Sequence, residues 1–216
     1  MAPSLEHRSV LRLLSYDKLL DVGANRGQFS LLSKILFPSV PVCAYEPFPP
    51  EANLYRKVLA SCLDVFLNQV ALGSRSDVVT FHISKSADSS SILPIGDAKR
   101  RLFPSTTEAA TCRVSVAPLD SFPRDWKAVS RGLLKIDVQG YELEVLRGAV
   151  QALKHCAYVY VECSEVPLYD GQALRPAVHE FLEQQGFVFR SRHNETCDSD
   201  GKVIQADYLF ERRTAE

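Results

Sequence analysis

The stretch that most limits the fold is residues 18–30. Leu19, Leu20 and Val22 form a short apolar run that reads as a buried strand, with the carboxylate of Asp21 at its end. Gly23 and Gly27, four apart, then make a tight turn. Phe29, Leu31, Leu32, Ile35 and Leu36 recur at helical spacing after it. Strand, glycine turn and helix form the ligand-binding corner of doubly wound α/β folds. Glycine permits positive φ and close backbone approach, and the helix start offers free N–H groups to an anion.

The loop reads D-x-G-x-N-x-G. Asn25 occupies the place of the glycine that lets a dinucleotide's pyrophosphate approach the backbone. A carboxylate at the strand end suits a ligand with an ammonium or sulfonium group and no phosphate. S-adenosyl-L-methionine is such a ligand: its carboxylate can meet the helix start, and Asp21 can help hold the positive end, directly or through water. Phe37-Pro38-Ser39 breaks the helix, and a second strand is expected over 40–45. Glu46, about 20 residues beyond the turn, is placed to accept hydrogen bonds from both ribose hydroxyls of an adenosine. Pro47, Pro49 and Pro50 stiffen the turn before a helix over 51–60.

Further along, strands are expected over 64–72, 78–83 and 113–119. Residues 84–112 are polar and poorly periodic, and a loop of that length suggests a flap on the substrate side. Lys99-Arg100-Arg101 within it reads as a solvated charge run by default, with a small anion-contacting patch as the alternative. The run 132–137 repeats the opening grammar, an apolar strand ending in Asp137. Leu143, Leu146, Val150 and Leu153 mark one helix face. A strand over 157–161 is expected to end at Glu162, as in a parallel sheet covered on both sides. A helix over 174–185 and strands over 187–192 and 207–212, joined by a turn at 198–201, complete the chain. Alternating units and a final hairpin imply an α/β fold, mostly parallel with one antiparallel strand.

The length of 216 residues fits a single domain, 1–216. Residues 1–17 look like a lead-in helix that either caps the site or covers a sheet edge. A net charge of −1 offers no bulk attraction to nucleic acid, and no apolar run is long enough to span a bilayer. Six cysteines without C-x-x-C pairs, and no signal peptide, point to a reducing, cytoplasmic location.

The chain resembles the FkbM family of S-adenosylmethionine-dependent methyltransferases. The matching blocks are residues 21–27, 46–49 (Glu46-Pro47-Phe48-Pro49), 70–73 (Val70-Ala71-Leu72-Gly73) and 134–149, beginning Leu134-Lys135-Ile136-Asp137. Residues 90–93, 167–172 and 205–210 match further, so the resemblance covers about 17–212. It implies a seven-stranded class I fold with helices on both faces, and methyl transfer to a hydroxyl oxygen of a sugar or natural product. The family's Asp-Val-Glu-Gly is Asp137-Val138-Gln139-Gly140 here, and Gln69 replaces the asparagine often found before Val-Ala-Leu.

Methyl transfer from a sulfonium is an in-line displacement, helped by a group that takes the acceptor's proton. Asp137 is the expected catalytic residue, as base or as partner of the methionine ammonium, with a helix cap as its structural alternative. Glu162 is the second candidate base. The expected cofactor contacts are Asp21, Gly23, Ala24, Asn25, Gly27, Glu46, Pro47, Ala71 and Asp137. No third oxygen ligand accompanies Asp137 and Glu162, and His193 and Cys197 lack a second pair, so no metal site is read. The expected partner is a small-molecule hydroxyl acceptor, with no nucleic acid. The competing functions are an NAD-linked oxidoreductase, disfavoured by Asn25 and Asp21, and a non-catalytic cofactor-binding scaffold.

Overall fold

The computed structural model describes residues 2–213. One 3₁₀ turn, Leu5–His7, leads into α1 (Arg8–Leu11). There follow β1 (Lys18–Val22), α2 (Gln28–Leu36), β2 (Val42–Tyr45), α3 (Pro49–Val58), β3 (Val65–Asn68), β4 (Ala71–Leu72) and β5 (Asp77–Ser84). After a 3₁₀ turn at Ala87–Ser89 come α4 (Asp97–Leu102), β6 (Glu108–Ala117), α5 (Pro123–Trp126), β7 (Gly132–Ile136), α6 (Glu142–Arg147) and α7 (Val150–Leu153). The chain closes with β8 (Cys156–Ser164), α8 (Arg175–Gln184), β9 (Phe187–Cys197) and β10 (Val203–Arg212).

Seven strands form the main sheet in the order β3-β2-β1-β7-β8-β10-β9. The pairs from β3 to β8 are parallel, and β10 runs antiparallel to both its neighbours. The expected mostly parallel sheet with one antiparallel strand is therefore present. In the centre, β7 is buried at every residue and β1 at all but Lys18, because helices cover both faces. One core cluster joins Leu20, Val22, Leu134 and Ile136 to α6 and α8. The other packs Leu19 and Leu133 against α1 and α2. Strand addition reverses direction between β2 and β7, on either side of β1. That switch opens a crevice beyond the carboxyl ends of these strands. No helix among the described residues is long and apolar enough to cross a membrane.

Several expected elements differ. The single strand over 64–72 is two. β3 belongs to the main sheet, whereas β4 joins β6 and β5 in a separate three-stranded sheet. The strands read at 78–83 and 113–119 belong to that smaller sheet. Residues 108–112 are strand, and α4 interrupts the stretch before them. A local polar pattern does not disclose pairing with a distant partner.

The lead-in segment forms only one helical turn; Val10, Leu11 and Leu14 are buried, while Leu13 is 80% exposed. The helix read through 143–153 breaks at Gly148. A Cβ there would lie 2.0 Å from the Gly73 carbonyl oxygen, so the close backbone approach requires glycine. Glu162 lies inside β8, not at its end, because the antiparallel partner β10 carries the ladder on to Ser164.

Candidate active site

The turn after β1 is shaped by three residues with positive φ, Gly23 (73°), Asn25 (46°) and Gly27 (86°). At Gly23 a Cβ would stand 1.8 Å from the Asp137 carbonyl oxygen, so the turn lies directly on the end of β7. Gly27 starts α2, and a Cβ there would meet the Tyr55 ring at 2.9 Å. That glycine serves packing against α3; it lines neither of the two cavities in the crevice.

The first cavity encloses about 700 Å³ between Asn25, Glu46, Pro47, Phe48, Ala71 and Tyr141. Glu46 is buried, and its carboxylate accepts N–H bonds from Asn25 (3.0 Å) and Phe48 (2.8 Å). Burial, opposed by those two N–H groups, pushes its pKa up to about 7. A carboxylate has about four lone-pair sites, so two remain for ribose hydroxyls. The wall offered to a flat base is apolar. Gln69 lies outside it, exposed and bonded to Arg56.

The second cavity spans about 1250 Å³ and shares Gly23, Asn25, Asp88, Asp137 and Gln139 with the first. Ala24, Lys99, Lys135, Glu162 and Asp207 line it, and His7 of the lead-in segment forms part of its rim. At its centre is Gln139, with φ of 56°. Its Nε2 donates to Asp137 Oδ1 (2.9 Å) and Glu162 Oε2 (2.7 Å), while its Oε1 accepts from Tyr169 Oη (2.8 Å) and Lys99 Nζ (3.3 Å). A glutamate at 139 would offer no donor to those carboxylates, so the amide here ties together two acids that would otherwise repel. Gln205 donates to the other oxygen of Glu162 (3.0 Å). Burial, reinforced by Asp137, Asp207 and Glu142 and opposed by Lys99, holds the Glu162 pKa well above the usual carboxylate range.

Asp137 and Glu162 are thus brought together on one wall, as expected. Asp21 is not where direct contact with a ligand would need it. It is fully buried, accepts from Ser30 Oγ (2.6 Å) and pairs with Lys135 Nζ (3.3 Å). β1 alternates faces, and Asp21 points under the turn, so its carboxylate holds Lys135 and α2 in place. Lys135 in turn donates to the Gly23 carbonyl (3.1 Å). Burial lowers its pKa, but Asp21 and Asp137 outweigh that, and the net direction is up.

Lys135, Gln139, His7, Asp207, Tyr169 and Lys99 are the site residues that sequence reasoning missed. A lysine inside an apolar strand was a signal for Lys135, since a buried ammonium requires a partner. For Lys99 the signal was its basic run, read by default as solvated, yet the residue is only 3% exposed. The blocks 90–93 and 167–172 also meet here. Ser91 Oγ donates to the Gln139 carbonyl (2.7 Å), and Ile95 bridges to Tyr169.

The donor set fits S-adenosyl-L-methionine. Asn25 lines both cavities, and its Oδ1 is buried without a hydrogen-bond partner. An orphaned acceptor needs a donor, and an ammonium supplies one. Glu46 stands on the nucleoside side, and Pro47 and Ala71 line the apolar wall.

Comparisons with known proteins agree. A family model described as Methyltransferase FkbM domain matches residues 21–189. A curated relative, 2-O-methyltransferase NoeI of Sinorhizobium fredii (strain NBRC 101917 / NGR234), is 26% identical over 82% of this chain and 76% of its own. Among solved structures, an rRNA methylase from Streptococcus thermophilus superimposes with a TM-score of 0.54 at 10% identity, covering 99% of this chain and 98% of the other. The precorrin-6y C5,15-methyltransferase of Geobacter metallireducens has a TM-score of 0.51 at 14% identity, covering 96% and 85%. At such identities the likeness establishes the shared fold.

Proposed function

The chain belongs to the FkbM methyltransferase family, and from that premise we propose that it O-methylates a hydroxyl group of a neutral small molecule, a sugar or a natural product. S-adenosyl-L-methionine is its cofactor, and when bound it supplies a methyl group on a positively charged sulfur. The observation that carries the hydroxyl reading is the position of Asp137. Its carboxylate stands where the two cavities meet, with Oδ1 committed to Gln139 and its side chain 38% exposed. An alcohol is a poor nucleophile until a base takes its proton.

In this reading Glu46 receives the ribose hydroxyls, Pro47 and Ala71 bound the base, and Gly23, Ala24 and Asn25 receive the amino-acid end. Asp21 and Gly27 hold the turn from beneath. Asp137 Oδ2 takes the proton from the acceptor hydroxyl. Glu162 stands beside it on the same wall as the second candidate base. The second cavity carries Glu6, Asp88, Asp137, Glu162 and Asp207 against Lys99 and Lys135. Such a lining disfavours phosphate-bearing acceptors, nucleic acids included. The 2-O-methyltransferase name of one relative is in keeping with a hydroxyl acceptor. The six free cysteines suit a reducing, cytoplasmic setting.

The test is a screen of neutral glycosides and polyols with excess methyl donor, read by mass for a gain of one methyl. Asp137→Asn is expected to lower turnover by about 10²–10⁴-fold, and full turnover in that variant rejects the assignment.

A further inference from the structure

Of the residues that the flap read over 84–112 brings to the second cavity, one is a buried lysine. Lys99, on the short helix α4, is 3% exposed and lies between two aromatic rings. Its Nζ is 4.8 Å from the Phe103 ring centre and 5.2 Å from that of Tyr169. Its one hydrogen bond among the described residues is to Gln139 Oε1, at 3.3 Å. The other two lysines buried to a comparable degree behave differently: Lys34 pairs with Asp64 at 2.7 Å, and Lys135 with Asp21 at 3.3 Å. Lys99 has no carboxylate within 4 Å among the described residues. An ammonium has three N–H donors; one goes to Gln139 and the others meet only ring faces, and the residue lines the cavity. A buried polar group left short of partners is costly, so this one awaits an oxygen.

The placement names that oxygen. Lys99 and Asp137 take opposite ends of a single carboxamide, that of Gln139, through Oε1 and Nε2. Both residues line the second cavity, held by the same amide, and Lys135 Nζ lies 3.8 Å from the free Asp137 Oδ2. Resting on the hydroxyl reading above, we propose that Lys99 is a further catalytic residue, whose ammonium donates to the reacting hydroxyl oxygen while Asp137 removes its proton.

The step balances. The O–H proton passes to Asp137 Oδ2, the oxygen's electron pair forms the new O–C bond, and the C–S bond breaks with its pair going to sulfur. The products are the methyl ether, the neutral thioether and a protonated Asp137. Lys99 keeps its own protons throughout. Negative charge develops on the oxygen before the O–C bond is complete, and a preorganised donor in a dry site stabilises it most at that point. Burial pulls the Lys99 pKa down, opposed by Glu162 and Asp137. A more acidic ammonium is a stronger donor to a developing oxyanion.

The experiment uses the full chain, excess S-adenosyl-L-methionine and simple alcohols at high concentration as probe acceptors: ethanol, glycerol and trifluoroethanol, which differ in hydroxyl acidity. Lys99→Met is expected to lose about 10²–10³-fold in turnover with ethanol and glycerol. It should lose clearly less with trifluoroethanol, whose hydroxyl needs less help, and donor affinity should stay within about twofold. Lys99→Ala with added methylammonium should regain activity, and it serves as the second variant should the methionine fail to fold. Equal losses across the three alcohols, no rescue by methylammonium, or unchanged turnover would each overturn the role of Lys99. Failure of the unaltered protein to methylate any alcohol would instead reject the hydroxyl reading, and Lys99's role with it.

Discussion

At the scale of single residues, two buried glutamates share one titration behaviour. Glu46 and Glu142 both have pKa values raised to about 7, in each case chiefly by burial. Glu142 is 2% exposed and accepts the Gly140 N–H at 2.8 Å. An acid whose folded pKa exceeds its unfolded value stabilises fully below the unfolded pKa, near 4.5, and that contribution is lost as pH rises through about 7. Thermal melts of the ligand-free protein should therefore show a stability component that falls between about pH 4.5 and 7. Glu142→Gln keeps the acceptor oxygen and should remove its share of the slope, about 3 kcal/mol by the size of the shift. Identical pH profiles for the two proteins would refute this. Glu46 adds a binding counterpart. Hydroxyls donate better to the ionised carboxylate, so donor affinity should strengthen as pH rises through about 7. Glu46→Ala should weaken donor binding by about ten- to a hundredfold, as expected for hydrogen bonds to a charged group, and calorimetry showing unaltered affinity would remove the ribose role.

At the scale of elements, the junction of β1 with β7 rests on the Asp21–Lys135 pair. Both partners are buried, and Lys135 reaches the carbonyls of Val22 (3.4 Å) and Gly23 (3.1 Å) as well. Lys135→Met leaves Asp21 charged and alone beneath the turn. It should cost about 3–5 kcal/mol, whereas Asp21→Asn combined with Lys135→Met should recover most of that. Denaturant melts of the single and double variants measure the difference; additive losses would show that the pair is not coupled. The break between α6 and α7 has a comparable local cause. Gly148 lets the Gly73 backbone approach, which anchors the small sheet against the main one. A side chain there would drive the two sheets apart.

At the scale of the whole molecule, the small sheet and the segment between β5 and β6 contribute to the walls of both cavities. Residues 85–107 are tied down where they cross the site. Ser91 pairs with His82, Ile95 with Tyr169, and the Gly96 N–H donates to the Leu168 carbonyl at 2.9 Å. The Tyr169 hydroxyl lies between Ser89 and Gln139. A segment walling a donor pocket has to part for exchange, and its local stability is set by these few contacts. Hydrogen exchange in 85–107 should slow when S-adenosylhomocysteine is bound and quicken in Tyr169→Phe, with the strands of the main sheet little altered. Exchange indifferent to both changes would mean that the segment does not open in this way.

The sequence by itself determined the main sheet's grammar, because buried parallel strands need continuous apolar runs and a nucleotide turn needs its glycines at fixed places. Glu46 and Asp137 were legible for the same reason: each ends such a run beside a turn. What folding alone decided was which charges face inward. Asp21, read as holding the ligand directly or through water, is fully buried and pairs with Lys135. Lys99 looked by default like solvated surface and is a buried cation of the cavity, with Lys135. Gln139, read as a lost carboxylate, became the amide that joins two acids, a lysine and a tyrosine. Local pattern records periodicity and turns. The direction of one polar side chain depends on what packs against it from segments far along the chain, and only the assembled sheets supply that information.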